Sequence, residues 1–297
     1  MAIDAAAPRA GSPGAAAPAL ALLANAFVWG VSWWPLRELQ ALGLHPLWAT
    51  VFVYGSVVLA ISAWRPSAWR ELLRTPVLWV LVAAAGTTNA TFNWGVTVGD
   101  VVRVVLLFYL MPLWTVLLAR LLLGERLTRA AAFRVAMALV GAAVVLWPEG
   151  GGLPLPRTLP EWLGIAGGFS FALNNVMLRR EAHRPQSARA LAMFLGGVVV
   201  AGPLAAMLAL NGFVPPPPAP APGWIAGALL LAVCFLGGNL ALQYGAARLP
   251  ANATAVVMIT EVLFASASAV LLGAAAITLP LVIGGTLIVG AALLAAR

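Results

Sequence analysis

The chain has no lysine, one cysteine, two histidines and nine acidic residues among 297 positions. The lone Cys234 rules out an intramolecular disulfide. His45 and His183 fall in loops on opposite sides of the topology derived below, so they share no metal site. Charged residues make up 9% of the chain and hydrophobic ones 62%, too little polar surface to cover a water-soluble globule. A Walker-type phosphate loop, a GxSxG elbow and an HExxH pair are all missing, and Gly150–Gly152 follows no strand that would make it a nucleotide turn. No nucleophile–base pair stands out, so the sequence predicts no catalytic residues, no cofactor and no metal.

What fills the chain is long apolar runs, with a mean hydropathy of +0.97. Runs of about 17–23 residues cross the ~30 Å hydrocarbon core as helices. Ten fit: Leu20–Leu36, Pro46–Trp64, Pro76–Val98, Val101–Leu123, Ala130–Trp147, Trp162–Leu178, Ala188–Leu210, Gly223–Gly245, Ala251–Gly273 and Leu279–Ala296. Only Thr97–Asp100 separates the third from the fourth, so nine spans with one bent helix is the competing count. With the N-terminus in the cytoplasm, fourteen arginines lie on that side, and Arg37, Arg103 and Arg157 lie outside. Topology and anionic lipid thus account for the net charge of +8, and no nucleic-acid partner is needed. Residues 1–19, rich in Ala, Pro and Gly, read as a disordered cytoplasmic tail, and Asn211–Gly223 as an uncharged outer connector.

An internal repeat orders the spans. Shifted by 150 positions, Asn89–Val96 ("NATFNWGV") lies over Asn239–Ala246 ("NLALQYGA"), pairing Asn89 with Asn239, Asn93 with Gln243 and Trp94 with Tyr244. Val140–Leu146 lies over Val289–Ala295 at a shift of 149, and Leu36–Glu38 echoes Arg179–Glu181 at 143. Five spans per half is an odd number, so the halves enter the membrane from opposite sides, as in transporters built around a midplane site.

Polar groups inside these spans are the candidate site. Asn89 and Asn93, and likewise Asn239 and Gln243, stand four residues apart on a helix and must face protein or water, as cavity lining or as interhelical hydrogen bonds. Glu261 is the one acid near the middle of a run, readable as a buried structural acid, a protonatable coupling site or an acceptor for a substrate ammonium. Arg103 follows Asp100 by one turn, either as an interfacial pair or as a fork for a substrate carboxylate. Pro112 removes a backbone donor and predicts a kink or hinge. Trp33, Trp34, Trp94, Phe108, Tyr109, Trp114, Tyr244 and Phe264 are candidate aromatic walls, with interfacial belts or packing as the alternative.

Val101–Thr128 ("VVRVVLLFYLMPLWTVLLARLLLGERLT") closely resembles the fourth helix and following loop of the EamA family in the drug/metabolite transporter superfamily, and Leu287–Ala295 resembles its last helix. The resemblance implies an all-α polytopic membrane protein with ten transmembrane helices in two inverted five-helix repeats and both termini cytoplasmic. On this chain the first repeat is 20–148, a periplasmic linker 149–161 and the second repeat 162–297. Phe92–Leu110 is most similar to YddG-type exporters of aromatic and other neutral amino acids; related families carry sugars, nucleotides or drugs. Glu261 departs from the pattern, which usually has a proline in the second half as well. The expected function is an inner-membrane secondary transporter exporting small neutral metabolites by alternating access. Its expected partners are a small-molecule substrate and the lipid bilayer, with a monomer sufficient. Lipophilic cations or drugs are the alternative cargo, and a channel or membrane-embedded enzyme the alternative class.

Overall fold

The computed structural model describes residues 16–123, 129–147, 153, 155–181, 183–246, 248, 257, 258 and 260–295. The tail expected over 1–19 therefore lies outside the described residues up to 15, as does most of the linker before 155. The described residues form helices α1 (Ala16–Val31), α2 (Trp33–Ala41), α3 (Pro46–Trp64), α4 (Ser67–Arg74), α5 (Val77–Val98), α6 (Val101–Phe108) and α7 (Met111–Leu123). They continue with α8 (Arg129–Val145), α9 (Leu159–Arg180), α10 (Gln186–Leu210), α11 (Pro222–Ala246), α12 (Thr260–Leu271) and α13 (Leu279–Ala295), and no strand occurs among them.

This is a multi-pass membrane protein. Five helical stretches, Ala16–Ala41, Pro46–Trp64, Val101–Leu122, Gln186–Leu210 and Pro222–Gly245, are long and apolar enough to cross a bilayer, and shorter apolar helices accompany them. Large apolar side chains such as Leu59, Leu121, Leu230 and Leu271 point outward, as lipid requires and water does not favour. By contrast, α5 and α9 carry Thr88, Asn89, Asn93 and Ser170, Asn174 on buried positions, and each packs along the other. The polar helices are the interior ones.

Two apolar runs are broken where the sequence reads as continuous. Ser32 separates α1 from α2, its hydroxyl donating to Trp29 O at 2.8 Å and competing with the helical ladder. Tyr109 and Leu110 separate α6 from α7, with Leu110 N bonded to Leu107 O at 3.2 Å in a tightened turn. Pro112, the second residue of α7, has no N–H for the Phe108 carbonyl, and that carbonyl faces Gly168 of α9, where any Cβ would overlap it. The segment between the second and third apolar runs is not a plain loop: α4 buries Ala68 and Leu72 and turns Arg70 and Arg74 outward.

The packing is pairwise. α5 lies on α9 and α1 on α11; α6 and α7 lie on α9 as α12 lies on α1; α3 meets α10, α8 meets α13 and α6 meets α12. Exchanging α1 with α9, α3 with α10, α5 with α11, α6 and α7 with α12, and α8 with α13 maps this set of contacts onto itself. The closest approaches use glycine: Gly86 of α5 abuts Gly196 of α10, and Gly141 of α8 abuts Gly284 of α13, leaving no room for side chains.

Candidate functional site

Seven helices converge on one narrow cavity. Its walls are Asn25 and Trp29 of α1; Ala85, Thr88, Asn89 and Phe92 of α5; Phe108 of α6; Phe171 and Asn174 of α9; Met193 of α10; Asn239 and Leu242 of α11; Met258; and Glu261 of α12. Four asparagines on four helices thus face one space, all of them buried. Asn25 and Asn174 are 149 positions apart and Asn89 and Asn239 are 150 apart, spacings close to those of the repeat read in the sequence.

The amides are unevenly satisfied. Asn25 Nδ2 approaches Met258 Sδ at 3.5 Å, a weak bond, while Asn25 Oδ1 and Asn174 Oδ1 are buried with no donor in reach among the described residues. Asn239 Oδ1 accepts from Gln243 Nε2 at 2.6 Å, so Gln243 orients Asn239 rather than reaching the cavity itself. At the α12 side the Tyr109 hydroxyl lies 3.1 Å from Met258 O and 3.3 Å from Glu261 Oε2 and donates to either.

Aromatic rings complete the walls as a connected chain. Trp29 stacks on Phe235 with centroids 4.6 Å apart, Phe92 meets Trp29 at 6.2 Å and Phe108 at 5.0 Å, and Phe108 meets Phe171 at 5.2 Å. No arginine or histidine lines the cavity among the described residues. Nor do three His, Cys, Asp or Glu side chains come together among them to hold a metal.

Of the residues singled out in the sequence, Asn89, Phe108, Asn239 and Glu261 line this cavity, and Tyr109 and Gln243 touch its lining side chains. The others stand elsewhere. Two positions four apart differ by about 40° around a helix. That rotation turns Asn93 away from Asn89's face and toward α3, where its Nδ2 donates to Thr50 Oγ1 at 3.0 Å. Trp94 packs edge-on against His45, centroids 5.5 Å apart. Tyr244 lies on the outer side of α11, 41% exposed, beneath the Arg248 guanidinium at 3.9 Å. Arg103 places Nε 3.2 Å from Glu161 Oε1, although its N–H is not aimed at that oxygen, and donates through Nη2 to Val145 O at 2.6 Å. Asp100, expected as its partner, instead caps α6 by accepting from Arg103 N at 2.8 Å. Glu161 is held in turn by Arg157 N at 2.7 Å and Thr158 N at 3.1 Å, the reciprocal half of a capping box at the start of α9.

Phe108, one of the candidate aromatics, lines the cavity, whereas Asn25, Trp29, Phe92, Phe171, Asn174 and Met193 were not among the sequence candidates. The repeat shift was the available signal for Asn25 and Asn174, since the spacing that pairs Val140 with Val289 also pairs them.

Comparison with known proteins bears on this arrangement. Residues 17–147 match the EamA-like transporter family. That EamA-like segment contains α1 to α8 and supplies Asn25, Trp29, Asn89, Phe92 and Phe108 to the cavity. Among curated proteins, the chain is 33% identical over 139 residues to an uncharacterized transporter of Pseudomonas aeruginosa, covering 45% of this chain and 43% of that one. It is 29% identical over 165 residues to the protein RarD of Streptomyces exfoliatus, covering 52% and 48%. It is 31% identical over 121 residues to the chloramphenicol-sensitive protein RarD of Pseudomonas aeruginosa, covering 38% and 40%. Each alignment spans less than half of the relative's length. One solved crystal structure superposes with a TM-score of 0.56 at 22% identity over 94% of this chain and 96% of that one, a likeness of fold.

Proposed function

We propose that the chain is a secondary transporter that moves small neutral metabolites, aromatic and other neutral amino acids foremost, across the inner membrane by alternating access. In this reading ten spans form two inverted five-helix halves with both termini in the cytoplasm. α1 with α2, and α6 with α7, each count as one broken span, and α4 lies along the membrane surface. The exchangeable helix pairing and the EamA-like match over residues 17–147 support it.

One observation carries the proposal: repeat-related asparagines from four helices, with an aromatic chain between them, face a single interior cavity. A buried amide needs a partner, and a cavity lined by amides and rings suits a small polar molecule with an apolar or aromatic body. A second reading, amines and lipophilic cations lacking a carboxylate, is favoured by Arg103, whose engagement with Val145 O and Glu161 removes it as a carboxylate partner. Uptake of labelled phenylalanine into proteoliposomes, with other amino acids and a lipophilic cation as competitors, tests the two readings. Saturable uptake above empty liposomes, inhibited by either competitor, is expected; absence of uptake of any solute by folded protein would remove the proposal.

A further inference from the structure

The cavity is rich in hydrogen-bond acceptors and poor in cations. Asn25 and Asn174 both line the cavity, and the Oδ1 of each is buried with no donor in reach among the described residues. Asn25 is 0% and Asn174 2% exposed, so neither oxygen turns to solvent for a partner. In the same lining Glu261 brings a carboxyl, of which the Tyr109 hydroxyl engages one oxygen. A primary ammonium has three N–H donors and no acceptor, which matches two orphaned carbonyls and one carboxylate. A carboxylate has the opposite need. It finds no arginine or histidine in the described lining, and the chain has no lysine to supply one.

We infer that this cavity recognises its substrate through an ammonium group held by Asn25 Oδ1, Asn174 Oδ1 and Glu261, and that its preferred substrates are primary arylalkylamines. The inference rests on the transporter reading above and narrows its cargo. The ammonium of a neutral amino acid takes the same place, but its carboxylate is left facing neutral amides at a desolvation cost that an amine does not meet. The ring of the ligand lies against Trp29 and Phe92, whose faces also attract positive charge. Because Asn25 and Asn174 are repeat-related, each half contributes one acceptor to the same group, and a change in the angle between the halves alters both contacts together.

The test is isothermal titration calorimetry on the full chain in detergent with three probes of one skeleton: phenethylamine, phenylalanine and 3-phenylpropionate. Phenethylamine binds at least as tightly as phenylalanine, and 3-phenylpropionate binds at least 100-fold more weakly. Asn25→Leu and Asn174→Leu each weaken phenethylamine at least tenfold. Glu261→Gln, which keeps the shape of the side chain and serves if the leucine variants fail to fold, weakens phenethylamine at least tenfold and leaves 3-phenylpropionate no weaker. Equal binding of the amine and the acid, or unchanged amine affinity in Glu261→Gln, overturns the inference. Phenylalanine flux in proteoliposomes without phenethylamine binding overturns it and leaves the transporter reading intact. Absence of both binding and flux removes the two together.

Discussion

The Tyr109 hydroxyl meets the carbonyl oxygen of Met258 at 3.1 Å, and the two residues are 149 positions apart, the spacing of the internal repeat. The contact joins α6 to α12 beside Glu261, at the edge of the amide-lined cavity. Tyr109→Phe leaves the Met258 carbonyl without this donor, and about 0.5–1.5 kcal/mol of stability is lost with the bond. Thermal unfolding in detergent reads that loss. An unchanged midpoint would show that the hydroxyl holds Met258 no better than a ring edge does.

Arg103 and Glu161 hold the start of α9 against the α6 end of the bundle. Because the Arg103 side chain is 35% exposed, screening limits the ion pair to about 0–1 kcal/mol, with the Val145 carbonyl bond adding a similar amount. Arg103→Gln accordingly lowers the unfolding midpoint while the KM for phenylalanine stays within twofold of the parent. A tenfold rise in KM for phenylalanine with none for phenethylamine would instead make Arg103 a carboxylate fork.

Gly86 and Gly196 bring the α5 and α10 backbones into contact, and a Cβ at position 86 overlaps Gly196 O. Backbone atoms do not move aside as a flexible side chain does, so Gly86→Val costs about 1–3 kcal/mol or more through overpacking. Gly237, where a Cβ meets nothing within 4 Å, is the control. Gly237→Ala retains the parent's elution profile and unfolding midpoint, whereas Gly86→Val broadens the first and lowers the second.

His45 caps α3 with Nδ1 accepting from Leu47 N at 3.3 Å, and burial holds its imidazole below the ordinary value of 6.5. A protonated ring has no lone pair for the cap, so the unfolded chain takes up the proton more readily than the folded one. Stability from this group is complete above about pH 6.5 and falls as the pH drops below it toward the depressed folded value. His45→Asn keeps a capping acceptor and removes the titration, flattening unfolding midpoints between pH 5 and about 7 relative to the parent. Parallel curves for the two proteins would remove His45 as the source.

How much of this was legible depends on which physical signal carried it. Apolar length located the helices, because lipid demands it, and the repeat shift singled out Asn89 and Asn239, which line one cavity. A spacing of 149 relates Asn25 to Asn174, but Asn25 stands alone in an apolar run and Asn174 is followed by Asn175, and neither pattern announces which amide faces inward. Rotation about the helix explains Asn93: spacing by four puts two residues on one side, yet about 40° suffices to send one into the cavity and the other to Thr50. Arg103 was open between two partners because Glu161, 58 positions later, is brought to it only by the packing of α6 on α9. The helix breaks at Ser32 and Tyr109 were silent, since hydropathy does not register a local change in hydrogen bonding.

The central claim is that the amide and aromatic cavity is the transport site of a carrier. Counterflow of labelled phenethylamine tests it most directly, in proteoliposomes preloaded with unlabelled amine and containing either the parent protein or Asn174→Leu. The account predicts transient accumulation of label above equilibrium by the parent and at least a tenfold lower initial rate for Asn174→Leu at equal amounts of folded protein. Equal counterflow by both would contradict it, placing the transport path away from this cavity.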